Sequence, residues 1–65
     1  MSDHIARMKA EHSDLQDKIL ALVTFIHSNP VFKTLDEAEQ SRMIKQCGFM
    51  ESYLQMLASR IWSAK

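Results

Sequence analysis

A chain of 65 residues with a single cysteine has room for one domain, taken as 1–65, and no disulfide within it to offset a small core. Eight basic and eight acidic residues cancel to a formal charge of zero, which disfavours non-specific binding of duplex nucleic acid and leaves room for a small anionic ligand held by two or three local cations. The opening Met-Ser-Asp-His lacks the basic and apolar regions of a signal peptide, and the longest apolar run, Ile19 to Ile26, is too short to span a bilayer. A soluble cytoplasmic protein without membrane contact is therefore expected.

The first element is a helix over about 3–28. Ile5, Met8, His12, Leu15, Ile19, Leu22 and Ile26 recur at alternating three- and four-residue steps, a heptad seam with one polar member, His12. Ser2 or Asp3 can cap its start. The run from Ile19 to Ile26 continues that pattern, so it reads as helix and not as a buried strand. It also leaves Leu20, Val23 and Phe25 outside the seam, in need of other partners.

The pattern breaks at His27–Thr34. Pro30 has no backbone N–H and disfavours a helical Asn29 before it, and Asn29-Pro30 can open a short turn of helix. Phe32 is expected to fold down and plug the closed end. Thr34-Leu35-Asp36-Glu37 reads as a capping box that starts a second helix over about 35–63.

That helix carries a seam of Gln40, Met43, Cys47, Met50, Leu54, Leu57 and Ile61, with a second stripe beside it of Phe49, Tyr53, Met56 and Arg60. Two apolar stripes have more to bury than one partner helix covers. The reading is all-α: an antiparallel two-helix hairpin assembling into a homo-oligomeric helical bundle through Leu20, Val23, Phe25, Phe49, Met56 and Trp62. Cys47 reads as a small buried apolar residue of a reducing compartment. Gly48, in mid-helix, costs about 1 kcal/mol relative to alanine. It is either tolerated or marks the close approach of another helix or a ligand.

Folding back across this loop sets Glu11 beside Tyr53, Lys18 beside Gln46, and Arg60 near His4 and Arg7. On the other flank Val23 meets Ile44 and Gln16 meets Glu51. The first flank thus gathers Arg7, Glu11, Lys18, Gln46, Tyr53 and Arg60. An aromatic face, guanidinium groups and an amide suit stacking, phosphate neutralisation and base-edge hydrogen bonds. The same residues would also serve as the solvated rim of a coiled coil. His4, His12 and His27 lack metal-ligand spacing, there is no second thiol, and Gly48 is the only glycine. No catalytic residue, metal or cofactor is assigned.

With those residues placed, the chain resembles a family of small helical-hairpin accessory proteins of tailed phages, related to proteins of crAss-like phages. Arg7, Glu11, Leu15, Leu22 and Phe25 carry the match in the first helix, and Phe32 and Leu35 at the loop. Gln40, Gln46, Met50, Tyr53, Leu54, Leu57, Arg60 and Ile61 carry it in the second, while Cys47 and Gly48 depart from a plainer helix. The resemblance implies a phage-encoded anti-defence protein of the sponge type. Such a protein binds and sequesters a nucleotide immune signal, such as a cyclic oligonucleotide, as a homo-oligomer without catalysis. The alternative is an inhibitor or adaptor that docks a host defence protein through Phe49, Tyr53, Met56 and Trp62; a third is a coiled-coil dimer with no ligand.

Overall fold

The computed structural model describes residues 3–64, so Ser2, one of the two candidate caps, lies outside the described residues. Helix α1 (Asp3–Ser28) and helix α2 (Glu37–Ser63) run antiparallel, joined by a 3-10 turn over Pro30–Thr34. The molecule is a rod 48 Å long and about 15 Å across.

Every seam position of both helices is buried or half-buried. Among the described residues Met8, Ile19, Phe32, Cys47 and Leu57 form the buried set, and of these Leu57 alone is fully enclosed, at 0% exposure. The alternating three- and four-residue spacing keeps these side chains on one stripe of each helix, which is why two helices suffice to bury them.

Asn29 organises the loop. Its backbone N–H donates the last bond of α1 to the Phe25 carbonyl at 3.2 Å, and its side chain accepts from the Val31 N–H at 2.9 Å. Pro30 then occupies the first turn, where a missing N–H costs nothing. Phe32 is buried as expected and meets Phe25 edge to face, ring centroids 6.2 Å apart and planes at 90°.

The second helix starts later than expected, at Glu37 and not at about residue 35, and its cap is not Thr34. The Thr34 hydroxyl donates to the Val31 carbonyl at 2.6 Å, which commits it to the 3-10 turn. Asp36, in extended backbone, caps α2 by accepting from the Glu39 N–H at 2.7 Å. Gln40, the polar member of the α2 seam, donates its amide to the Leu35 carbonyl at 2.8 Å and ties the loop to the helix.

A methyl group built on Gly48 meets nothing within 4 Å, so no close approach inside the hairpin explains the glycine. Gly48→Ala is therefore expected to stabilise the fold by about 0.5–1 kcal/mol, measured by urea unfolding. A loss of stability instead would mean that another helix packs against that position. Cys47 is buried, and burial followed by the negative charge of Glu51 raises its thiol pKa, consistent with a packing role. Among the described residues no helix is long and apolar enough to cross a membrane.

Candidate ligand-binding flank

The predicted register is realised by a direct contact: the Tyr53 hydroxyl donates to the Glu11 carboxylate across the two helices. This contact joins α1 to α2 and ties the Tyr53 ring to the first helix on this flank. Of the six expected ligand residues, four line one open groove: Arg7, Glu11, Lys18 and Tyr53, joined by Asp14, with a volume of about 430 Å³. Arg7 and Lys18 face two carboxylates here, so the groove as a whole is neutral.

Gln46 lies on the other side of Tyr53. It lines a second groove of about 480 Å³ with Tyr53, Phe49, Met50, Arg42 and Lys45, and the walls of this one are almost wholly apolar. Arg60 is in a third groove, with His4, Ser59 and Ser63, which keeps the expected His4–Arg60 proximity but separates both from Lys18 and Gln46. Its charge still reaches Tyr53, whose ionisation it favours. Tyr53 is thus the hinge of the flank, a half-exposed ring shared by a polar groove and an apolar one.

Arg42 and Lys45 were absent from the residues expected here. Arg42 pairs with Glu39 at 2.9 Å on the surface, while Lys45 has no ion partner among the described residues. Both precede Phe49 by one or two turns on the same face, so the period that ran forward to Met56 and Arg60 also runs back to them. They make the apolar groove the more basic of the two.

The six expected interface residues do not form one surface. By helical phase Phe49 and Met56 stand on the Tyr53 side of the seam, with Leu20, Val23 and Trp62 on the opposite side. Phe25 is half-buried against Phe32 within the hairpin. Leu20, Phe49, Met56 and Trp62 are each at least 60% exposed, so large apolar side chains are left on both flanks.

The Glu11 hydrogen bond, then desolvation, then the Glu11 charge raise the Tyr53 pKa, with Arg60 opposing. A raised folded-state pKa means that the contact contributes stability below the unfolded value of about 10 and is lost as pH climbs through the folded one. Tyr53 is the only tyrosine, so phenolate absorbance reports it alone. Its titration midpoint should lie above about 10 and return toward that value in Glu11→Ala. Equal midpoints in the two proteins would deny the contact in solution.

Among the described residues no three His, Cys, Asp or Glu side chains gather to hold a metal. Neither curated proteins nor solved structures give a match to the chain. The model of one protein family, Sequestin, matches residues 2–63.

Proposed function

The chain belongs to the Sequestin family, non-catalytic phage proteins that sequester immune signals, and we propose that the signal it takes is a nucleotide, bound on the Tyr53 flank of a homo-oligomer. The tailed-phage pattern of Phe32, Gln46, Met50, Tyr53 and Arg60, with its crAss-like kinship, belongs to the same reading. The observation that carries the proposal is the Tyr53 ring, pinned by Glu11 between a groove with cations and a groove with apolar walls.

In this arrangement a base stacks on Tyr53, Gln46 reads its edge with Lys45 beside it, Arg7 and Lys18 face phosphates across the Tyr53 ring, and Arg60 adds positive charge from the neighbouring groove. A single hairpin leaves both grooves open to solvent, so a second copy packing on Phe49 and Met56 would wall the site and exclude water. Leu20 and Val23, with the exposed Ile44, offer a further packing surface on the opposite flank. Sequestration needs tight, stoichiometric capture and no chemistry, which fits a site made of charges and rings without a nucleophile or base.

Native mass determination, followed by thermal unfolding against a panel of cyclic and linear signalling nucleotides, tests this. An oligomeric mass and a melting temperature that rises with one nucleotide are expected, since a ligand that binds only the folded state stabilises it by mass action. A monomer with no shift across the panel would sink the proposal and favour docking of Phe49 and Met56 on a host protein.

A further inference from the structure

The polar groove beside Tyr53 carries its charges in a fixed order. Arg7, Glu11, Asp14 and Lys18 follow one another along a single flank of α1 at steps of four, three and four residues, so the order is cation, carboxylate, carboxylate, cation. Opposite charges one turn apart on a helix are well placed to pair with each other. Here they do not: among the described residues no ion pair joins Arg7 to Glu11 or Asp14 to Lys18, whereas Glu39 and Arg42 close at 2.9 Å. We propose that this groove selects a zwitterionic nucleotide, one that carries an amine in addition to its phosphate, with Glu11 and Asp14 holding the ammonium group while Arg7 or Lys18 takes the phosphate. This selectivity rests on the nucleotide reading of the Tyr53 flank and narrows the ligand that the flank admits.

Charge argues against the simpler occupant. A ligand whose only charges are phosphates would meet two carboxylates alongside two cations in this groove. Repulsion from Glu11 and Asp14 would offset its attraction to Arg7 and Lys18, and such like-charge contacts turn the wrong ligand away. The neighbouring groove shows the contrast, since Arg42 and Lys45 are in its lining and no carboxylate is. The carboxylates of the polar groove are matched by a positively charged donor, and both can accept from one. Glu11 takes the Tyr53 hydroxyl on Oε2, which leaves Oε1 without a hydrogen-bond partner among the described residues. Asp14 has no hydrogen-bond or ion partner among them.

Spacing narrows the ligand further. Four residues of helix rise about 6 Å, which is the step along the axis from Glu11 back to Arg7 and from Asp14 on to Lys18. An ammonium group held between the two carboxylates therefore lies about one turn from a cation on either side, so a short arm of a few atoms joins amine to phosphate. The groove holds about 430 Å³, within the range of about 300 to 1,000 Å³ for small-molecule sites. Tyr53, in the same lining, supplies the ring on which the base stacks.

The probes are cytidine 5′-diphosphoethanolamine, its N-acetyl derivative and cytidine 5′-diphosphate. Stacking on a ring admits every base, and acetylation removes the positive charge while keeping the arm. In calorimetric titration of the whole chain, the amine is expected to bind about tenfold more tightly than the N-acetyl compound, the scale of one charge-assisted contact. Asp14→Asn should reduce that preference to less than about threefold with helicity unchanged. The same variant should bind cytidine 5′-diphosphate more tightly, because one repulsive charge is gone, and a merely structural role for Asp14 would not produce that gain. Equal binding of the amine and the N-acetyl compound, or an unchanged preference in Asp14→Asn, would overturn the selectivity and leave the nucleotide reading standing. No binding by any of the three probes would overturn it as well, while the melting-temperature panel decides the nucleotide reading independently.

Discussion

Leu57→Ala is expected to cost about 2–5 kcal/mol and to leave much of the chain unfolded near physiological temperature. Among the described residues Leu57 is the only side chain at 0% exposure, and it belongs to the seam that α2 turns toward α1. Removing its branched end deletes buried apolar surface and leaves a void that two rigid helices cannot collapse around. Whole domains are stable by only about 5–15 kcal/mol, and a 65-residue chain starts near the bottom of that range. The control is Met56→Ala, one residue away on the 60% exposed stripe. It should change the stability of the isolated hairpin by no more than about 0.5 kcal/mol. Urea unfolding of both variants, diluted until the hairpin is monomeric, makes the comparison, since self-association shifts apparent stability. A loss below about 1 kcal/mol for Leu57→Ala would mean that the seam is not the main source of stability.

Most of the fold was legible because its signals are periodic and local. The steps from Ile5 to Ile26 and from Gln40 to Ile61 mark the residues that become buried or half-buried. Pro30 forces the break, and the length of the break sets the register that joins Glu11 to Tyr53. The start of α2 was less legible for a physical reason. Thr34-Leu35-Asp36-Glu37-Ala38-Glu39 contains two overlapping capping patterns, Thr34 with Glu37 and Asp36 with Glu39. The choice between them depends on the 3-10 turn, whose Val31 carbonyl takes the Thr34 hydroxyl, and no pattern within the helix reveals that. The flank was legible in its Glu11–Tyr53 pair and not in its partition. Helical phase says which residues share a side, but whether Gln46 and Lys18 enter the same groove depends on the ring between them. Tyr53 divides them. The same phase left both flanks apolar without saying what covers either, because an unpaired stripe records a need and not a partner.

That dividing ring carries the largest expected effect on sequestration. Tyr53→Ala should weaken binding of the nucleotide that gives the greatest melting shift by about 1–3 kcal/mol, roughly 5- to 150-fold, the range for loss of one stacked base. Truncation also merges the polar and apolar grooves, so the ligand loses a wall as well as a surface. Tyr53→Phe separates ring from hydroxyl. It keeps the stacking face but gives up the hydrogen bond to Glu11, which frees the carboxylate to face the ligand's phosphate. A smaller loss is expected, one that grows as salt is lowered, because the released charge repels an anion over a longer range when screening is weak. Calorimetric titration of both variants at two ionic strengths distinguishes the roles. Because Tyr53 is half-exposed, neither change should unfold the hairpin, and helicity measured alongside verifies this. If Tyr53→Ala bound as tightly as the parent protein, the aromatic hinge would be a register device only, and the ligand would have to lie elsewhere on the rod.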